Sequence, residues 1–208
     1  GVIHTIGPYL LPQLIHSLKL VAPNMPLAIE ENMTANLADM LHDNEIDVLI
    51  IALPFDLPGV LTRALYDESF QVVVPRGHPW ESRECIRPEE VTGDEILLLK
   101  AGNCFRDQVV QACPKLAAPG GTEGAVEGSS LETVRYMVAS GAGISVVPAS
   151  AAASWPQEDS LLSFRHFSEP VPLREVVIAW RATFPRPQAV DILRAAILDA
   201  PPPGVIAV

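Results

Sequence analysis

The stretch TANLADMLHDNEIDVLIIA, residues 34–52, decides the fold class of this chain. Its first half, Thr34 to Asp43, places Leu37 and Leu41 at helical spacing and so predicts an amphipathic helix. Its second half, Ile46 to Ala52, is a nearly continuous apolar run, which is typical of a parallel strand covered on both faces. A helix followed at once by a buried strand is the repeating unit of an α/β protein.

Helix and strand signals alternate along the rest of the chain. Further helices are predicted at residues 8–22, 104–112, from about 128 to 141, and 188–199. Further strands are predicted at residues 26–31, 70–74, 95–99, 143–148, 161–167 and 175–180. Ser129 and Glu132 have the spacing of a capping box, and residues 114–128 form the clearest irregular stretch. The alternation predicts an α/β fold.

Composition and charge narrow the possible functions. The chain has 208 residues, of which 49% are hydrophobic and 19% charged, and its formal net charge is −11. A net negative charge argues against binding of a nucleic-acid backbone by this part of the protein, although the full protein can have a separate DNA-binding domain. No apolar run approaches the ~18–20 residues of a membrane span, and the start lacks the pattern of a signal peptide. Because the chain begins at Gly1 rather than Met, we expect a piece of a longer protein. Three cysteines are too few for a disulfide scaffold, so we expect reduced thiols in a cytoplasmic protein.

Two cysteines lie close together in the segment GNCFRDQVVQAC, residues 102–113. The residues between them predict a helix, with Asn103 as its N-cap and Pro114 just past its end. At ~1.5 Å rise per residue, a helix holds Cys104 and Cys113 roughly 13 Å apart, whereas a disulfide needs Cα atoms within about 7 Å. The pair therefore bonds only if the segment refolds, which suits a redox switch. Taken without any further clue, these are more often simply buried thiols.

The start of this helix favours a reactive thiol. Only the thiolate is a strong nucleophile, and the partial positive charge at a helix N-terminus favours the thiolate of Cys104. Arg106 would add a full positive charge, but residues two apart do not face each other on a regular helix. Asp107, three residues on, does face Cys104 and would oppose activation unless it orients Arg106. For the third cysteine, Cys85, we keep the interpretation of an ordinary reduced thiol.

Metal and cofactor signals are missing from the sequence. The five histidines are scattered, and no CxxC or HExxH spacing occurs. We therefore expect neither a metal site nor a cofactor.

Three segments, in order, resemble one family. LHDNEIDVLI (41–50), VPRGHPW (74–80) and SLETVRYMVASGAGI (130–144), which leads into Val147-Pro148, resemble LysR-type transcriptional regulators. HTIGPYLLP (4–12) and GNCFRDQ (102–108) resemble the peroxide-sensing members of that family. The resemblance reaches to about residue 199 and covers nearly the whole chain.

The resemblance implies a fold and a division of the chain. It implies an effector-binding domain of two Rossmann-like α/β subdomains joined by crossover strands, like a type II periplasmic binding protein. Residues 1–67 and 173–208 would form subdomain I, and residues 68–172 would form subdomain II with the redox cysteines. The family's N-terminal winged helix-turn-helix domain is absent from this chain.

The resemblance also implies roles for single residues. Cys104 would be the peroxidatic cysteine and Cys113 the resolving one, so that a sulfenic acid on Cys104 condenses to a Cys104–Cys113 disulfide. Arg106 would activate the thiolate and Asp107 would orient it. The residues that bind the peroxide would be Thr5, Thr34 and Asn103. Many family members have His where this chain has Asn103, and Asn cannot carry a proton. Thr34 equally suits a helix N-cap, and Thr5 an ordinary strand end.

The expected function is the regulatory domain of a peroxide-sensing transcription factor, which is not an enzyme. The implied partners are hydrogen peroxide, further copies in a homodimer or homotetramer, and a thiol reductant such as glutaredoxin, with no membrane. Promoter DNA and RNA polymerase would be bound only through the full-length protein. Three rivals stay open: a LysR-type domain that binds a small organic effector between its subdomains, with incidental cysteines; a periplasmic solute-binding protein; and a thiol peroxidase.

Overall fold

The computed structural model describes residues 1–155 and 161–207. The chain forms two compact units. Unit 1 comprises Gly1–Glu68 and Arg174–Val208, and unit 2 comprises Ser69–Leu173. The chain passes from unit 1 to unit 2 within strand β4 (Val60–Pro75) and returns within strand β10 (Leu173–Arg181).

Unit 1 is an α/β layer built on short parallel strands. Apart from parts of β4 and β10, its elements are β1 (Val2–Ile3), α1 (Gly7–Val21), β2 (Glu31–Asn32), α2 (Thr34–His42), β3 (Val48–Ala52), α7 (Pro187–Asp199) and β11 (Ile206–Ala207). Strand β1 lies parallel to both β2 and β3. Strand β3 pairs antiparallel with β10, with Ile51 opposite Val177, and β11 pairs antiparallel with β4. The apolar strand β3 and the inner faces of the helices supply the core.

Unit 2 is a second α/β layer, and it carries the two neighbouring cysteines. Its elements are β5 (Cys85–Ile86), β6 (Ile96–Leu99), α3 (Cys104–Ala112), α4 (Pro114–Ala117), β7 (Val126–Gly128), α5 (Leu131–Ala139), β8 (Ile144–Pro148), α6 (Ala149–Ser154) and β9 (Leu162–Phe167). Strand β8 pairs antiparallel with β4 and parallel with β6, which pairs parallel with β7. Strand β9 pairs antiparallel with β4 and parallel with β5. All residues of β6 and β8 are buried, as strands covered on both faces require.

The predicted α/β class and the helix over residues 104–112 are confirmed. The strand predicted at 26–31 is wrong over most of its length, because the strand that forms, β2, contains only Glu31 and Asn32, opposite Val2 and Ile3 of the two-residue strand β1. The N-cap of α5 is Ser130, whose hydroxyl accepts from the Thr133 amide at 3.1 Å, and not Ser129. The stretch predicted as irregular, 114–128, contains helix α4 and strand β7.

Helix α3 is fixed in unit 2 by two apolar side chains on its inner face. Phe105 is 1% exposed and meets Phe70 of β4 edge to face, with ring centroids 5.0 Å apart. Val109, one turn further on, is also 1% exposed. The polar residues between them face outward or lie half-buried. Tertiary packing therefore holds a helix that is too short to be stable alone.

Candidate redox site

The two ends of α3 carry the two cysteines. The Asn103 side chain caps the helix, with Oδ1 accepting from the Phe105 amide at 3.1 Å. Cys104 is the first helical residue and is half-buried, whereas Cys113 is the C-cap and fully buried. Cys85 lies on β5 and is exposed. All three thiols are free.

The helix keeps the sulfurs of Cys104 and Cys113 apart. The helical hydrogen bonds continue to the Cys113 amide, which donates to the Val109 carbonyl at 3.1 Å. Nine helical steps of ~1.5 Å separate the two Cα atoms by about 13.5 Å, nearly twice the ~7 Å limit for a disulfide. A bond between these thiols therefore requires the last turn of α3, at least, to unwind.

Cys113 also joins α3 to α4, so its movement disrupts both helices. Its carbonyl accepts from the amides of Leu116 at 2.9 Å and Ala117 at 3.1 Å, which form the first turn of α4. Burial, with a smaller contribution from the negative charge of Glu89, raises the pKa of the Cys113 thiol to about 12. The buried thiol is thus protonated near neutral pH and shielded from solvent, which makes it a poor nucleophile in this structure.

The charged residues of the first turn of α3 point in different directions. The Arg106 guanidinium forms an ion pair with Glu127 of β7 at 3.4 Å and donates to the Leu99 carbonyl at 3.4 Å. It is therefore directed toward the ends of β6 and β7, and part of its charge is neutralised there. The Asp107 side chain is exposed. The predicted roles of Arg106 as activator and Asp107 as its orienting group stay predictions.

Thr34 lies at the start of α2 in unit 1. The structure places Met33 at the N-cap, so Thr34 is the first helical residue and does not cap the helix. Its Oγ1 atom is buried and has no hydrogen-bond partner among the described residues. A buried hydroxyl without a partner is uncommon in proteins. Such an oxygen is available to a ligand.

Thr5, also in unit 1, belongs to a buried polar network that the sequence did not reveal. Its Oγ1 accepts from Arg174 Nη1 at 2.9 Å, and its carbonyl oxygen accepts from Arg174 Nη2 at 3.0 Å. Arg174 in turn forms an ion pair with Glu68 at 2.6 Å. Desolvation first, and the charge of Glu68 second, raise the pKa of the neighbouring Tyr66 well above its usual range. The one available signal was a charged residue at the buried start of an apolar strand, which by itself does not reveal a partner.

The structure thus brings Asn103, Cys104 and Cys113 together on one short helix of unit 2, while Thr5 and Thr34 belong to unit 1. Among residues 1–155 and 161–207, no group of three His, Cys, Asp or Glu side chains is placed to hold a metal ion. Within the same ranges, no helix is both long and apolar enough to span a membrane.

The comparisons with known proteins agree on one family. Residues 1–202 match the model of the LysR substrate-binding domain. The DNA-binding transcriptional dual regulator OxyR of Escherichia coli is 32% identical over 197 residues, which are 95% of this chain and 64% of that protein. The chain therefore spans less than two thirds of the length of this curated relative.

Solved structures give the same result. The reduced form of the OxyR regulatory domain from Pseudomonas aeruginosa is 50% identical, with a TM-score of 0.88 and 96% of each chain covered. An H2O2-bound cysteine-to-serine mutant of OxyR from Corynebacterium glutamicum is 29% identical, with a TM-score of 0.87, covering 96% of this chain and 63% of that one.

Proposed function

The chain belongs to the LysR substrate-binding domain family and, within it, to the OxyR regulatory domains, and on that premise we propose that it senses hydrogen peroxide through Cys104 and Cys113. The observation that carries the proposal is the unequal state of two thiols on one helix. Cys104 is half-buried at the positive end of α3, whereas Cys113 is buried and protonated at the other end. One thiol is placed to react first and the other to react only after the helix opens.

The proposed chemistry has two steps. The Cys104 thiolate attacks one oxygen of H2O2, the O–O bond breaks, and the departing hydroxide takes up a proton to become water, which leaves a sulfenic acid on Cys104. The Cys113 sulfur then attacks the sulfenic sulfur, the S–O bond breaks, a second water departs and a disulfide forms. The protein loses two electrons, and the peroxide gains them.

The three residues predicted to bind peroxide, Thr5, Thr34 and Asn103, have side chains that suit this chemistry. Thr34 has a buried hydroxyl without a partner, and hydroxyls can both donate to and accept from a two-oxygen substrate. Thr5 supplies a second buried hydroxyl, which accepts a hydrogen bond from Arg174 and can still donate its own hydrogen. The side-chain oxygen Oδ1 of Asn103 already accepts a hydrogen bond as the helix cap, so the side-chain NH2 group is what remains to donate to a ligand. Because Asn carries no titratable proton, we propose that it positions the peroxide without relaying protons.

Opening α3 is energetically feasible. The helix has about two and a half turns, and helices of that length are marginal without tertiary packing. For a two-electron couple, ~30 mV corresponds to about 1.4 kcal/mol. A modest difference in redox potential therefore suffices to exchange the packing around Cys113 for a disulfide. In the full-length protein we expect the refolded segment to change how subunits pair in a homodimer or homotetramer and hence how promoter DNA and RNA polymerase are engaged, until a thiol reductant resets it.

Peptide mapping after brief peroxide treatment tests the proposal. The reduced protein receives one equivalent of H2O2, remaining thiols are alkylated, and the peptides are weighed. We expect a crosslink between the peptides of Cys104 and Cys113 that lacks two hydrogens, with Cys85 still alkylated.

Variants separate the two roles. Cys104→Ser should abolish the response, Cys113→Ser should stop at the sulfenic acid, and Cys85→Ser, the matched control, should respond like the wild type. Unchanged thiols would refute peroxide sensing and favour the organic-effector alternative. Sustained turnover of peroxide with a thiol reductant would instead reveal a peroxidase.

A further inference from the structure

The guanidinium of Arg106 has two acceptors, and both belong to strands of the sheet. Nη2 forms an ion pair with Glu127 Oε1 at 3.4 Å, and Nη1 donates to the Leu99 carbonyl oxygen at 3.4 Å. The Arg106 side chain is 16% exposed and that of Glu127 is 40% exposed. The positive side chain that is nearest to Cys104 in the sequence is therefore turned toward the ends of β6 and β7.

Strand pairing fixes the position of Glu127. Strand β7 runs parallel to β6, with Glu127 opposite Leu98. Just past the end of β6, the Lys100 amide donates to the Gly128 carbonyl at 3.1 Å, which ties to β7 the short loop that leads into α3. The carboxylate is thus held beside the start of α3, and all of these residues belong to unit 2.

A thiolate on Cys104 competes with Glu127 for the same cation. Cα atoms two residues apart on a helix lie about 5.5 Å from each other, so a released Arg106 side chain brings its charge close to the sulfur. Water screens the charge of a carboxylate as exposed as that of Glu127, and such ion pairs are weak. Arg106 is therefore able to exchange one negative partner for the other.

We propose that Glu127 is a positioning residue that restrains the reactivity of Cys104: it holds Arg106 against β7 and neutralises part of the charge that would otherwise stabilise the thiolate. Glu127 needs no contact with the sulfur or with the peroxide. The inference rests on the proposed function only because that function makes Cys104 the thiol that meets H2O2. It implies that the Arg106–Glu127 pair sets how much peroxide is needed before the protein responds.

Glu127→Gln tests the inference, because it removes the charge of the side chain and keeps its size. Cys104 of the whole reduced chain is alkylated with neutral iodoacetamide and with negatively charged iodoacetate, and the rates are followed at the peptide that contains Cys104. A released Arg106 attracts the anion more than the neutral reagent, whereas a loosened helix speeds both reactions alike. We expect the ratio of iodoacetate to iodoacetamide rates to rise about threefold, the order expected for one unit charge several ångströms away in water. Oxidation of Cys104 by H2O2 should also become faster.

Two further variants serve as a rescue and a control. Glu127→Asp keeps the negative charge and should return the ratio most of the way to that of the wild type. Glu95→Gln is the matched control, because it removes a 62% exposed carboxylate next to the opposite end of β6. It should leave the ratio unchanged.

The Arg106→Gln background decides whether Glu127 acts through Arg106. In that background Glu127→Gln should lose most of its effect on the ratio. An unchanged ratio in the single variant, an equal rise with and without Arg106, or an equal acceleration with both reagents would overturn the inference. The proposed function is judged separately, because failure of H2O2 to oxidise Cys104 in the wild type would refute that function whatever the alkylation ratio is.

Discussion

Gly121 offers a direct way to bias the switch without touching a cysteine. It lies eight residues beyond Cys113, against the end of α4. A methyl group at this position would overlap the Lys115 carbonyl oxygen and would lie 2.7 Å from that of Leu116 and 2.9 Å from that of Ala118. These are backbone atoms and cannot rotate away. Gly121→Ala must therefore displace α4, the helix that begins at the Cys113 carbonyl.

The expected effect can be estimated from this packing. Forcing an extra methyl group into a packed site costs about 1–3 kcal/mol. On the proposed mechanism the cost falls on the reduced state, because oxidation unwinds the segment that Gly121 packs against. At ~30 mV per 1.4 kcal/mol, the potential of the Cys104–Cys113 couple should become more negative by about 20–65 mV. The sign follows because a destabilised reduced state leaves the disulfide relatively more stable.

The assay equilibrates wild-type and variant proteins in thiol–disulfide buffers of graded potential and quantifies free Cys104 and Cys113 by alkylation. The matched control is Val138→Ala, which removes buried atoms from α5 of the same unit. It should lower the melting temperature and leave the potential unchanged. An unchanged potential in Gly121→Ala, with a melting temperature lowered as in the control, would refute the reasoning, since it would mean that α4 stays packed in the oxidised state.

Two further predictions follow from Cys113 and Asn103. Burial raises the pKa of the Cys113 thiol from 9.0 to about 12 in the folded protein. As pH rises from about 9 toward 12, the thiol of the unfolded chain ionises first, so the free energy of unfolding of the reduced wild type should fall relative to that of Cys113→Ala. Denaturation at several pH values measures both free energies, and a difference between them that does not change with pH would contradict the prediction. Asn103→Ala should destabilise α3 by about 1 kcal/mol because the helix loses its cap, whereas Asn103→Ser should retain most of that stability. Hydrogen–deuterium exchange of the α3 amides measures the effect in each variant. Equal exchange rates in the two variants would contradict the capping role.

Signals from adjacent residues were enough to predict helix α3, whereas the bounds of the short strands depend on pairing with distant parts of the chain. Asn103 and Pro114 lie beside the ends of that helix, so its bounds can be read from adjacent residues. The strand predicted at 26–31 failed because strands need partners, and β1 offers only two residues to pair with. A local pattern cannot reveal how long the neighbouring strand is.

Some residues of the candidate site could be found from the sequence, and others could not. The two cysteines could be found from their spacing along one helix. The Glu68–Arg174 pair could not, because 106 positions separate its partners in the sequence and the fold alone brings them together. The direction of Arg106 was equally hidden, since its partner Glu127 lies on a strand that the sequence did not predict.

Hydrogen–deuterium exchange over residues 104–117, before and after oxidation by one equivalent of H2O2, tests the central claim most directly. The account predicts that formation of the Cys104–Cys113 disulfide removes the protection of amides in α3 and α4, while those of β6 stay protected. A disulfide that forms while these helices keep their protection would contradict it, because intact helical geometry leaves the two Cα atoms about 13.5 Å apart.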